Sequence, residues 1–313
     1  MNKIVYAITV FDKEILKRSS SGGAFYLLSK YVVENGGVVY GASFNKNNLV
    51  EHVRVDSVLA LTSLMGSKYV QSDMGNSLIL AKRDLLENRL VLFSGTPCQI
   101  KAVHCFLSAF DKGNLILVDT ICHGVPSKTI WESYISEKKI SDNSDISFRD
   151  KTSGWENFSL RINNNYCLFS NDIYMRAFLD NYSLNEPCYK CLYKADNRVS
   201  DFTLGDFWGV SDVFPELYNP NGVSLIIVHK KHDFLMNILK KGDCVFNVVD
   251  FEKALSHNSA YAQSVAKPIN RDRFIKAIKK GMTFSKAFKK YCHITIIEKI
   301  RYKFDKIFKH VKT

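Results

Sequence analysis

The sequence predicts an α/β fold: a mixed, partly parallel sheet flanked by helices, with a helical basic C-terminal tail. Apolar β-type runs alternate with helical patterns through the first 130 residues. Two of these runs, "NRLVLFSG" (88–95) and "GNLILVDT" (113–120), are of the continuous apolar kind expected of buried strands, and the helix-length "CQIKAVHCFLSAF" lies between them. Charge is uneven: from Asn270 onward there are 14 Lys plus Arg against 3 acidic residues, which is nearly all of the +12 net charge of the 313-residue chain.

Taken in order, "KIVYAITV" (3–10) reads as a strand, "SSSGG" (19–23) as a loop and "AFYLLSKYVVEN" as a helix. "GGVVYGASF" (36–44) and "EHVRV" follow as strands. The middle, about 145 to 210, is richer in Asn, Ser and aromatic residues, with short strands such as "FSLRIN". "VSLIIVHKK" (223–231) returns to the buried-strand pattern, and "HDFLMNILKKG" is helical. No internal repeat or low-complexity linker divides the chain. The expected organisation is one domain over 1–268 and a basic helical tail over 269–313. Within the tail, "IIEKIRYKFDKIFKHV" (296–311) has apolar residues at helical spacing and basic residues opposite. Such a helix docks on a membrane surface or an acidic protein, or packs on its own domain.

A composition of 46% hydrophobic and 24% charged residues is that of a globular protein. No apolar run reaches membrane-spanning length, and the first residues lack a signal-peptide pattern. The expected location is cytoplasmic, with room for peripheral contact at the inner membrane face. A nearly neutral main body without a recognised motif argues against a specific nucleic-acid partner. The eight cysteines (98, 105, 122, 167, 188, 191, 244 and 292) are then core residues, metal ligands or redox groups rather than a disulfide framework.

Cys188 and Cys191 form a C-x-x-C pair, half of a tetrahedral thiolate site. Cys98 and Cys122 each follow a predicted strand. A β-α-β unit makes those strands parallel, so both cysteines emerge at the carboxyl edge where open α/β sheets bind ligands. Gly95 and Gly124 permit the tight turns there. Four thiolates suit zinc or an iron–sulfur cluster, and the spacing alone does not choose. "RSSSGGAF" (18–25) precedes a helix, with Ser20 or Ser21 able to cap it and Gly22 and Gly23 leaving N–H groups outward, as at a phosphate site. In "MGSKYVQSD" (65–73), Lys68 can stabilise negative charge on a flavin or phosphate. His123 can donate a proton near neutral pH. Asp206, at a strand end, can orient a cofactor or form a turn. His104 and Cys105 are expected to be helix packing residues.

"SSSGGAF", "GGVVYGASF", "GSKYVQSD", "VLFSGTPCQI", "ICHGVPS", "CYKC" and "SDFTLGDFWG" occur in that order. Through them the chain resembles the coenzyme F420 hydrogenase/dehydrogenase beta-subunit family, from near residue 4 to about 275. The resemblance implies a flavoprotein binding FAD beside a [4Fe-4S] cluster and passing electrons between one-electron carriers and a two-electron acceptor. It implies Cys98, Cys122, Cys188 and Cys191 as cluster ligands. It implies Ser21, Gly22, Gly23, Lys68 and Gln71 facing FAD; Gly95, Thr96 and Asp206 join them as candidate cofactor residues. His123 and Lys68 are the candidates to supply a proton or stabilise reduced flavin. Many relatives carry an amino-terminal ferredoxin-like module that this sequence lacks, so a separate ferredoxin-like donor is expected. The acceptor is a small organic molecule; coenzyme F420 is one, although no residue here distinguishes its pocket. Some bacterial relatives are associated with surface-polysaccharide genes, which hints at a sugar-linked substrate. The competing readings are a non-catalytic electron-relay or assembly subunit and a zinc-stabilised binding protein.

Overall fold

The computed structural model describes residues 3–292; the amphipathic stretch 296–311 lies outside them. The strands are β1 (Ile4–Val10), β2 (Val38–Phe44), β3 (Val50–Val55), β4 (Val91–Gly95), β5 (Leu115–Thr120), β6 (Ile146–Asp150), β7 (Ser159–Ile162), β8 (Asn165–Leu168), β9 (Phe202–Asp206), β10 (Ser224–Val228) and β11 (Cys244–Val249). The helices are α1 (Lys13–Arg18), α2 (Ala24–Glu34), α3 (Ser77–Leu86), α4 (Pro97–Leu107), α5 (Lys128–Glu137), α6 (Ile173–Leu179), α7 (Val210–Val213), α8 (His232–Leu239), α9 (Phe251–Leu255), α10 (Arg271–Lys279) and α11 (Phe284–Tyr291).

Eight strands form one sheet in the order β11-β1-β10-β9-β5-β4-β2-β3. Its centre, β2-β4-β5-β9, is parallel and the flanking pairs are antiparallel. This is the mixed, partly parallel sheet that the alternating runs predict. Successive side chains along a strand point to opposite faces, so each apolar run feeds two cores. Val39, Leu92, Ile116 and Ile226 pack with α2 and α8 on one face. Their neighbours Val38, Val91 and Leu115 pack with α3 and α4 on the other, and Leu225 and Ile227 pack there with Phe207 and Val210. This is why the strands read as unbroken apolar stretches.

A separate three-stranded sheet, β6-β7-β8, joins α5, α6, α10 and α11 around a further core. Trp131, Tyr174, Phe148 and Phe284 form its aromatic centre, with Trp131 and Tyr174 edge to face at 4.9 Å. Residues 271–291, assigned to the tail by charge, therefore include two helices whose apolar faces are buried here. No helix among the described residues is long and apolar enough to cross a membrane.

One correction concerns α4. Ile100, Val103 and Leu107 face the core, which puts Cys105 on the opposite side, and it is exposed rather than packed. A second concerns "SSSGG". Neither Ser20 nor Ser21 caps α2; the N-cap is Gly23, in the left-handed conformation at φ +91°. Gly22 is held against two strands, and an added Cβ there would lie 2.1 Å from the Ile8 carbonyl oxygen and 2.5 Å from the Ser224 nitrogen.

Gly22→Ala should therefore cost about 3 kcal/mol or more, read from urea denaturation midpoints. Gly36→Ala, left-handed at φ +74° but with nothing within 4 Å of the new Cβ, should cost only about 1–2 kcal/mol. Equal losses at the two positions would contradict the packing assigned to Gly22.

Candidate cofactor site at the carboxyl edge of the sheet

The parallel pairing of β4 with β5 sets Gly95 opposite Asp119. Three residues beyond each stand Cys98 and Cys122. Cys98 lies in the first turn of α4, whose start is fixed by Thr96: its backbone N–H and its hydroxyl both donate to Gln99 Oε1, each at 3.0 Å. The Thr96 hydroxyl also lies 3.2 Å from Cys98 Sγ. Cys188 belongs to a 3-10 turn (Glu186–Lys190) and Cys191 follows it. This turn is tied down from outside. Glu186 pairs with Lys267 and Arg271, both at 2.8 Å, and Cys191 N–H donates to Ser264 Oγ at 2.9 Å. Val125 N–H points at Cys188 Sγ, 3.4 Å away.

Two of the four thiols are shifted. Burial, with smaller contributions from Cys98, Cys188 and Cys191, pushes the Cys122 thiol up to about 12. Cys188 is raised in the same way, by burial first, with Cys98 and Cys191 adding to it. Yet no three His, Cys, Asp or Glu side chains among the described residues gather closely enough to hold a single metal ion. A zinc centre needs its sulfurs about 3.8 Å apart, given Zn–S bonds of about 2.3 Å. An iron–sulfur cluster binds each thiolate at a different iron and spreads them wider. A four-sulfur donor set, with an N–H beside one sulfur and a hydroxyl beside another, is of a kind that can hold such a cluster.

Cys98, Cys122 and Cys188 line a cavity of about 1000 Å³. Ser21, Gly23, Lys68, Gln71, Gly95, Thr96, His123 and Asp206 also line it, so the structure brings nearly all the sequence-derived candidates together. Gly22 is not in the lining; its close approach to β1 and β10 is its structural requirement. Several candidates spend their polar groups on the protein. The Ser21 hydroxyl donates to the Val223 carbonyl at 2.6 Å, and Gln71 Oε1 accepts from Asn185 Nδ2 at 3.0 Å. Lys68 is half-buried and donates to the Ser63 and Met65 carbonyls at 3.1 and 2.8 Å; burial pushes its pKa down to about 7. His123 Nε2 is buried with no partner among the described residues, and burial favours the neutral ring.

Three cations escaped the sequence reading: Arg149 lines the cavity, while Lys151 and Lys194 bond the backbone of residues that do. Arg149, on β6, is 5% exposed and donates to Asp206 at 2.7 Å and to Tyr69 at 3.3 Å. Burial opposes its charge, but Asp206 and Tyr69 outweigh it and keep the guanidinium protonated. It lies 4.1 Å over the Phe158 ring and 5.0 Å from that of Trp208, and its Nε has no partner among the described residues. Lys151 donates to the carbonyls of Leu16, Ser21 and Asn221, locking the serine loop; burial brings its pKa to about 7. Lys194, 8% exposed, donates to the carbonyls of Cys122 and Ala260, both at 2.7 Å. Burial lowers its pKa, while Cys122 and Cys191 act in the opposite direction. The only sequence signal was the position of Lys194 three residues after Cys191.

Residues 88–250, a span holding all four cysteines, match the family described as the C terminus of the coenzyme F420 hydrogenase/dehydrogenase beta subunit. The chain belongs to this family. No curated protein matches the sequence. Among solved structures, a xenon-derivatised F420-reducing [NiFe] hydrogenase complex from Methanosarcina barkeri contains a chain of the same fold, with a TM-score of 0.56 at 17% identity, covering 93% of each chain. In this beta-subunit-family member, the matched segment supplies β4, β5 and β9, whose ends carry the site, and the serine loop and Lys68 lie before it.

The two lysines with pKa near 7 make stability pH-dependent. Their unfolded pKa is about 10.4, so between pH 7 and 10 the unfolded chain binds more protons and unfolding free energy rises with pH. Each lysine contributes a slope of up to about 1.4 kcal/mol per pH unit. Denaturation of the cofactor-free protein at pH 7, 8 and 9 should show this rise. Lys68→Met and Lys151→Met should each remove about one proton's worth of slope; unchanged slopes would contradict the buried amines.

Proposed function

We propose that this chain is an oxidoreductase that holds an iron–sulfur cluster on Cys98, Cys122, Cys188 and Cys191 and FAD in the adjoining cavity. The observation that carries this reading is the single cavity shared by three of the cysteines and the serine, glycine and lysine loops. When bound, the cluster would supply single electrons and the flavin would exchange a hydride with an organic acceptor.

The chain's own groups then have definable tasks. The amino end of α2 and the Ser19–Gly23 backbone give a positive end suited to a phosphate. Lys151 keeps that loop in place through the Ser21 carbonyl. Lys68 with a pKa near 7 can hold or release a proton at neutral pH, and His123, which also lines the cavity, has no partner for its buried Nε2 among the described residues. Phe158 and Trp208 beside Arg149 offer aromatic surface with a cation between them. Cys98 is exposed while Cys122 is shielded, so electrons would enter from the Cys98 side. A separate protein donor fits there, in keeping with the hydrogenase complex in which the similar solved chain occurs. The acceptor is a hydride-accepting small molecule, with coenzyme F420 and sugar-linked substrates the two classes to test. The domain covers at least 3–268, and a docking role for the basic residues beyond 292 belongs to the same reading.

Purification without oxygen should give a yellow-brown protein containing FAD, iron and acid-labile sulfide. Cys122→Ser should lose most of the iron while keeping its secondary structure by circular dichroism. Because the Cys122 thiol is protonated at neutral pH without metal, cluster assembly should release protons and proceed more completely at pH 8.5 than at pH 6.5. A colourless preparation, or zinc without sulfide, would overturn the assignment.

A further inference from the structure

Lys194 differs from the buried arginines near the sheet edge in having no carboxylate partner, and from Lys151, which also bonds only carbonyls, in holding the backbone of a candidate ligand, Cys122. Arg149 is matched by Asp206 at 2.7 Å, and Arg198 by Asp119 at 3.0 Å. Lys194 is as buried as they are, but its two hydrogen bonds go to neutral carbonyls, and no carboxylate pairs with it among the described residues. A buried charge without a counter-ion is expensive. The negative groups available to it are the thiolates: its ammonium holds the backbone of Cys122, and its own backbone is three residues beyond Cys191.

We propose that Lys194 is the counter-ion of the four-cysteine site and sets the potential at which a cluster there accepts an electron. The proposal rests on the iron–sulfur reading above. An ammonium held beside the site by carbonyl bonds stabilises the reduced state, which carries one more negative charge, and so raises the reduction potential. The carbonyl bonds to Cys122 and Ala260 keep the ammonium in place in both redox states. Arg198 cannot take over this task, because Asp119 neutralises it.

The test uses the full chain, purified anaerobically with its cofactors, in a redox titration followed by electron paramagnetic resonance. Lys194→Met removes charge and hydrogen bonds; Lys194→Gln removes the charge and keeps donor capacity; Lys194→Arg keeps the charge. Both neutral variants should retain iron and sulfide and titrate at lower potential. At the wild-type midpoint their oxidised-to-reduced ratio should rise about tenfold, equivalent to 59 mV for one electron. The arginine variant should stay within about threefold. Loss of iron in both neutral variants with retention in Lys194→Arg would also support the counter-ion role, since charge would then be needed for assembly. Iron-loaded neutral variants with a ratio changed less than threefold would overturn the proposal. So would equal loss of iron in all three variants, which would reduce Lys194 to a brace for the loop. A wild-type protein without iron would instead overturn the cofactor reading itself, so the two failures are distinguishable.

Discussion

Gly95 lies opposite Asp119 in the parallel β4–β5 ladder, and the cysteine site is in step with that pairing. Strand residues alternate faces, so a slip of one residue would turn Leu92 and Ile116 from one core to the other. The apolar faces therefore fix the register, and the register fixes where Cys98 and Cys122 emerge. β9 pairs with β5 in the same direction and brings Asp206 to the same edge, where it meets Arg149 arriving from the smaller sheet. Packing on both faces of the sheet thus determines the placement of chemical groups at its rim.

That rim is unusual in its charge. Arg149 and Lys68 line the cavity and Lys151 and Lys194 bond the backbone of residues that do, and among the described residues Arg149 alone of these four is paired with a carboxylate. The lysines rely on backbone carbonyls. In the protein alone this arrangement works against stability, because solvation of an ammonium is only partly replaced by carbonyl dipoles. An anionic occupant changes the balance: thiolates beside Lys194 and phosphate near the serine loop would supply the missing negative charge. The edge is thus shaped for occupants that the polypeptide does not itself provide.

Much of this was legible in the sequence because the signals were local. A continuous apolar run followed by Gly, Thr and Cys marks a strand end, and two such runs around a helical segment mark a parallel pair. The C-x-x-C spacing needs no structure to be noticed. Arg149 and Lys151 left no such trace, and Lys194 only its place three residues after Cys191. Each is a single polar residue in an ordinary stretch such as "SFRDK", and its burial arises from elements distant in the chain. Ser21 misled for the opposite reason. Serine before a helix is a strong local signal for a cap, but a left-handed turn at Gly23 shifts the helix start, and the hydroxyl is spent on Val223. Charge gave only part of the picture: the basic residues after Asn270 marked a helical tail, and the apolar positions of α10 and α11 within it complete a core.

The ion pairs from Glu186 to Lys267 and Arg271 bear on biosynthesis. The turn that carries Cys188 and Cys191 is anchored by residues translated some eighty positions later. While the chain is emerging from the ribosome, the turn of Cys188 and Cys191 can already meet Gln71 and Val125, but it lacks its anchors at Ser264, Lys267 and Arg271. The full set of anchors is complete only once Arg271 has been made and α10 has docked. On the proposed function, delivery of iron and sulfide would then be an event of maturation rather than of synthesis, with α10 acting as a latch on the turn.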